Sequence, residues 1–178
     1  ALSEIRLDKM GFIFQQMFMM KNLTILDNIL LPAVESKKEA GRTRKEKTAK
    51  AEELLRKLGI IEVADNDINE VSGGQLQRAC ICRSLINNPR VIFADEPTGA
   101  LNRQTSEEVM NELVRINQDG TAIMMVTHDS KVAAKCQRIL YIEDGVIKGS
   151  LSLEKLSDDG QMRERERMVN NWLMDLGW

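Results

Sequence analysis

The run Val91-Ile92-Phe93-Ala94 contains no polar residue and is followed at once by two carboxylates, Asp95 and Glu96. Four apolar residues without alternation fit a strand buried on both faces, as in a parallel sheet covered by helices. Met10-Gly11-Phe12-Ile13-Phe14 and Ala122-Ile123-Met124-Met125-Val126 read as buried strands of the same kind. The fold class is therefore α/β, a parallel sheet flanked by helices. Ligands of such sheets gather beyond the carboxyl ends of the strands. Asp95 and Glu96 thus stand where a ligand crevice is expected.

The segment upstream adds a phosphate-binding feature. Ser72 and Gln75 have the spacing of a capping box, in which each side chain bonds the backbone amide of the other. Gly73 and Gly74 leave the first helical turn without side chains, so its unpaired N–H groups face outward and form an anion site at the positive end of the helix dipole. The helix runs through Leu76, Ala79, Cys80 and Arg83 to about Asn87, and Asn88-Pro89 ends it, because the residue before proline is pushed out of the α region. Carboxylates at a strand end beside an anion-binding helix suit hydrolysis with a phosphate-bound metal and a base for water.

This stretch resembles the ATP-binding cassette (ABC) ATPases, the motor subunits of ABC transporters. Ser72 to Gln75 match their signature motif, with Val71 where leucine is usual, and Val91 to Glu96 match their Walker B strand and the acid after it. The resemblance implies a P-loop NTPase-like fold with a helical signature subdomain within about residues 21–88, the remainder being ATPase core and a C-terminal helix. It implies Glu96 as catalytic base and His128, the only histidine, as the switch residue near the γ-phosphate. Gln15, in the Q-loop position, and Asp95 would hold magnesium. Ser72, Gly73, Gly74 and Gln75 would meet ATP held by the other subunit of a homodimer. Asn102 occupies the D-loop position where aspartate is usual. The cofactors implied are ATP and Mg2+, and the partner is a transmembrane permease, with no nucleic acid. Phe12 to Pro32 and Gly99 to His128 look most like the macrolide-export and lipoprotein-release group. The implied location is cytoplasmic, peripheral on the inner face of the cell membrane through the permease.

The other segments have their own readings. Phe18-Met19-Met20 puts bulky apolar side chains in a loop, to be buried or, as a group, to form a groove for a partner helix. Thr24 and Asp27 begin a short helix that should stop before Pro32. Glu35 to Leu58 reads as one charged helical region, with a Thr43/Glu46 capping box, Glu46/Lys50, Glu52/Arg56 and Glu53/Lys57 pairs four apart, and Gly59 as a stop. Lys37, Lys38, Arg42, Arg44, Lys45 and Lys47 read as a solvated face. Thr105/Glu108 caps the next helix. Arg138 to Ile142 is a strand, Asp144-Gly145 a hairpin turn, and a helix from Gln161 turns Met168, Val169, Trp172, Leu173 and Leu176 to one side.

Composition narrows the function. At 43% hydrophobic residues the 178-residue chain can build a core, and a net charge of −2 carries no general attraction to nucleic acid or membrane. The apolar runs fall far short of the ~20 residues that span a bilayer, and the opening residues do not read as a signal peptide. The three cysteines show neither metal spacing nor a pairing pattern, so reduced cytosolic thiols are expected. No G-x-x-x-x-G-K-[ST] occurs within the 178 residues. The resemblance begins at about Ile5, just before the Q-loop, so an N-terminally truncated cassette is expected, inactive by itself, with unpaired sheet edges beside Val91–Ala94 and Phe12–Phe14. The alternatives are a cassette ATPase of DNA repair or translation, and a non-catalytic truncated fragment.

Overall fold

Three short strands run parallel in a computed structural model that describes residues 2–156 and 159–178: β1 (Met10–Ile13), β2 (Val91–Asp95) and β3 (Ala122–Val126). β2 is central. It pairs Val91 with Met10 and Ala94 with Ile13 on one side, and Val91 with Ala122 and Asp95 with Val126 on the other. The expected unpaired edge beside Val91–Ala94 is therefore corrected, since that strand is paired on both sides and the outer edges belong to β1 and β3.

The helices preceding and joining these strands are α1 (Leu2–Lys9), α2 (Ile25–Glu35), α3 (Arg44–Lys57), α4 (Gly73–Leu85) and α5 (Arg103–Gln118). α4 packs on α2, α3, α5 and β1. Its Ala79, Cys80, Ile81 and Cys82 are fully buried. Burial pushes the Cys80 thiol up to about 11 and raises that of Cys82 as well. β1 can approach α4 closely because Gly11 has no side chain: a Cβ there would lie 2.8 Å from the carbonyl oxygen of Ser84.

One sheet face, with Ile13, Ile92 and Ala94, is buried. The other is only half covered. Phe12, Phe93 and Met124 lie in register across it; Phe12 stacks on Phe93 at 5.6 Å between ring centroids, and Met124 is 57% exposed. The expectation of strands buried on both faces is corrected for β2 and β3. An apolar run shows that a face can be covered, not that the described residues cover it.

Tertiary packing overrides several local signals. Pro32 lies inside α2. Its carbonyl accepts from Ser36 N at 3.1 Å and from Asn87 Nδ2 at 3.0 Å, and Leu30 and Ala33 are buried, so the helix continues past the expected stop. The charged region is helical only from Arg44, after the Thr43/Glu46 capping box. Lys47 is buried rather than solvated, while Lys37 pairs with Glu4, Arg42 with Glu39 and Arg44 with Asp27. Burial also lowers the pKa of Lys50. Glu52–Arg56 forms as expected, at 2.8 Å, but Lys57 reaches Asp119 at 2.6 Å. Phe18 and Met20 are exposed, on a loop stitched to its neighbours. The amide of buried Asn28 donates to the Met20, Leu23 and Thr24 carbonyls, Cys80 Sγ donates to Met17 O, and Arg83 donates to Phe18 O.

The chain divides at Val126/Thr127 into two units. The second holds α6 (Ser130–Ala133), the antiparallel pair β4 (Arg138–Glu143) and β5 (Val146–Ser152), and α7 (Met162–Asp175). Asp144 and Gly145 both have positive φ, +51° and +76°, as a type I′ turn requires. Val169 and Leu173 of α7 are buried against Ile139, Tyr141 and Leu151, while Met168 is exposed. The buried Arg165 guanidinium donates to three carbonyls, Ala134 at 2.7 Å, Glu154 at 2.6 Å and Cys136 at 2.8 Å.

Gly11→Ala should force α4 off β1 and lower stability by about 1–3 kcal/mol, the usual range for overpacking. Urea denaturation of the chain would measure it. An unchanged midpoint would mean that the helix gives way freely.

Candidate functional site

The signature turn is built as its spacing requires. Gln75 N donates to Ser72 Oγ at 3.3 Å, and Ser72 N donates to Gln75 Oε1 at 2.9 Å, so both halves of the box are closed. Gln75 Nε2 also donates to Glu62 Oε1 at 3.3 Å, which holds the amide with its oxygen toward Ser72. Ser72 and Gly73 are exposed. The amides of Gly73 and Gly74 lie in the first turn, where helix geometry supplies no intrahelical acceptor. The two glycines differ in surroundings. A Cβ on Gly73 would meet only Leu101 Cδ2, at 3.6 Å, whereas one on Gly74 would overlap Thr105 Cγ2. An acidic residue at Gly73 therefore tests the charge of this turn, and one at Gly74 would also collide with the Thr105 side chain.

At the other end of the site, Asp95 closes β2 and is exposed. Glu96 follows with φ +43°, in the left-handed region that a non-glycine residue occupies at a cost of about 1–3 kcal/mol. Hydrogen bonds hold it there. Glu96 N donates to Val126 O at 3.0 Å, and Gly99 N donates to Glu96 O at 3.0 Å. Gln15 lies in the turn after β1. Its side chain reaches this same turn, since a Cβ on Gly99 would be 3.0 Å from Gln15 Nε2 and 3.4 Å from Glu96 Cβ. The structure therefore brings Gln15, Glu96 and Gly99 together.

The turn from Glu96 continues through Leu101 to Asn102, which is the N-cap of α5: Thr105 N donates to Asn102 Oδ1 at 3.0 Å. The Thr105/Glu108 cap expected from sequence is corrected accordingly. As an N-cap, asparagine serves at this position as well as aspartate would, since both are strong N-caps. His128 belongs to the second unit. It is exposed, between Thr127 and Asp129, with Asp129 N donating to Thr127 Oγ1 at 3.1 Å.

Gly99, Glu62 and Thr105 were missed by sequence reasoning. Gly99 reads as an ordinary turn residue, and its role depends on Gln15, which is remote in sequence. Glu62 carries no local signal, and Thr105 reads from sequence only as a helix cap. Among the described residues no cluster of three or more His, Cys, Asp or Glu side chains is placed to hold a metal. A magnesium ion asks for less, one or two carboxylates with water and phosphate oxygens completing the shell. Exposed Asp95 and the carboxamide of Gln15 fit that donor set.

A parallel sheet with paired acids at a strand end, a carboxamide folded against the turn after them, and a capped helix presenting bare amides are the parts with which an α/β protein can bind phosphate. The family model of ABC transporters matches residues 3–99, and the chain belongs to the ABC transporter family. The macrolide export ATP-binding/permease protein MacB of Mannheimia succiniciproducens is 42% identical over 170 residues, covering 96% of this chain and 24% of that protein. MacB of Escherichia coli is 38% identical over 173 residues, 97% of this chain and 26% of the relative. The chain thus spans about a quarter of the length of the curated relatives it matches. The dimeric ATP-binding cassette MJ0796, in a post-hydrolysis state bound to ADP and Pi, superposes with a TM-score of 0.77 at 38% identity, over 87% of this chain and 67% of that one. A second dimeric structure of MJ0796, described as a bacterial ABC transporter cassette, gives 0.78 at 39% identity over the same shares. The expected fold class, an α/β P-loop NTPase-like cassette, is borne out.

Asn102→Asp should keep the α5 cap and change stability by no more than about 0.5 kcal/mol, while Asn102→Ala should lose about 0.5–2 kcal/mol. Thermal unfolding of the two variants would separate a capping role from an indifferent one.

Proposed function

We propose that the chain is the ATP-binding and ATP-hydrolysing motor of an ABC transporter, coupling hydrolysis to export or mechanical work by a membrane permease. The observation that carries the reading is Glu96, held in a strained conformation directly after Asp95 with Gln15 folded against its turn. The names of the relatives support it, since they join ATP-binding and permease functions in one protein, as does the cassette structure bound to ADP and Pi. No helix among the described residues is long and apolar enough to cross a membrane. The working location is the cytoplasmic face of the cell membrane, and the working form is a dimer of cassettes, in keeping with the dimeric structures.

In this reading residues 21–88 include the helical subdomain. Asp95, through water, and Gln15 would hold magnesium, and the ion would supply charge neutralisation for the phosphates. The Glu96 carboxylate orients the attacking water and accepts its proton. His128 contacts the γ-phosphate. Ser72, Gly73, Gly74 and Gln75 present their helix end to ATP held by the other copy, with Asn102 beside them in the dimer.

A general base contributes about 10²–10⁴ in rate. Glu96→Gln in a preparation that hydrolyses ATP should therefore lose turnover by about that factor and still bind ATP; near-normal hydrolysis would reject the role. Asp95→Asn should weaken Mg-dependent nucleotide binding, read as a shifted magnesium titration.

A separate expectation concerns the 178 residues by themselves, which contain no P-loop motif. The P-loop amides and lysine contact the phosphates directly, and charge-assisted hydrogen bonds of that kind contribute roughly 1.5–3 kcal/mol each. Without three or four of them, about 5–12 kcal/mol is missing from a micromolar complex worth only about 8 kcal/mol in total. Calorimetry with Mg-ATP should detect no micromolar binding to this polypeptide, and such binding would show that the nucleotide sits elsewhere.

A further inference from the structure

The signature turn and the turn carrying Asn102 pack against each other inside one chain, most tightly at Thr105. Gly74 has no room for a Cβ because Thr105 Cγ2 occupies that space, with Thr105 Cβ and Oγ1 also near, at 3.7 and 3.8 Å from the same point. The backbone amide of Thr105 is the one that Asn102 Oδ1 caps, at 3.0 Å. Gly73 lies over Leu101, the residue before Asn102. One turn further along, Arg78 of α4 pairs with Glu108 of α5, and Gln104 Nε2 donates to the other oxygen of Glu108 at 3.3 Å, so the two helices are clamped side by side. Thr105 is β-branched, which restricts χ1, and its methyl group fills the space beside Gly74 while its backbone amide holds the cap.

We propose that Thr105 is a positioning residue that locks the signature turn Ser72–Gln75 to the turn Leu101–Asn102, so that a displacement of one is passed to the other. A phosphate drawn onto the Gly73 and Gly74 amides moves the first turn of α4. That movement presses on the Thr105 methyl group and shifts the Asn102 cap. The consequence for hydrolysis rests on the ATPase reading above; the linkage itself does not.

Residue-resolved amide hydrogen exchange on the chain, without nucleotide, tests the lock. Gly74→Ala should push Thr105 aside and raise exchange at the amide of residue 105 by about tenfold. Adding Thr105→Ser removes Cγ2, keeps the capped amide, and should return exchange to within about threefold of the parent. Unchanged exchange in Gly74→Ala, or no recovery in the double variant, would overturn the proposal. If Gly74→Ala fails to fold, Thr105→Ser alone decides: loss of the methyl should raise exchange at the Gln75 amide by at least about threefold, and no rise there would count against the lock. Because no ATP is used, loss of the ATPase reading would leave this result standing.

Discussion

Where α4 crosses β1, the strand backbone faces the helix backbone, Gly11 against the carbonyl of Ser84. Interiors are packed as densely as organic crystals, so a contact of this kind fixes the separation of two elements to within a methyl group. The rest of the first unit takes its place from that helix. Its N-terminus carries the signature cap. Just past its C-terminus, Asn87 donates to the carbonyls of Leu7 and Pro32 and so ties α1 and α2 to it. Between the two ends, Cys80 and Arg83 hold the loop that follows the Q-loop glutamine. One rigid body thus sets the position of the capped turn Ser72–Gln75 relative to the strand ends.

The strand ends show the opposite economy of space. Glu96 adopts a backbone conformation that its side chain disfavours, and the neighbouring strand supplies the hydrogen bond that keeps it there. Such strain persists only where the surroundings over-determine it, and it gathers at functional positions. Gly99 contributes by what it lacks, leaving the space into which Gln15 folds. A carboxamide from one strand end and a carboxylate from another then share a single turn, although they lie far apart in the chain.

The sequence made legible whatever depends on a few consecutive residues. The three strands, the Ser72 and Thr43 capping boxes, the Asp144-Gly145 turn and the carboxylates at a strand end all follow from local spacing, and the structure contains them. Helix boundaries set by distant partners were not legible. Pro32 ends a helix on local grounds, but buried neighbours and the Asn87 amide carry α2 past it. Lys47 reads as solvent-facing because its neighbours are charged, yet it is buried. Coverage of the sheet was equally hidden, because Val91–Ala94 and Ala122–Val126 have the same apolar character whether one face is packed or two. At the candidate site, the acids announced themselves by position, whereas Glu62, Gly99 and Thr105 matter only through residues that folding brings to them.

The two cysteines sealed into the middle of α4 give this cassette a further property. Burial pushes the Cys80 thiol up to about 11, which disfavours the reactive thiolate at neutral pH, and both sulfur-bearing residues are fully buried while the helix is seated. Oxidants and alkylating agents are therefore excluded twice, by protonation and by burial. Any labelling at these positions times the departure of α4 from its neighbours, which makes the pair an intrinsic clock for the opening of the first unit.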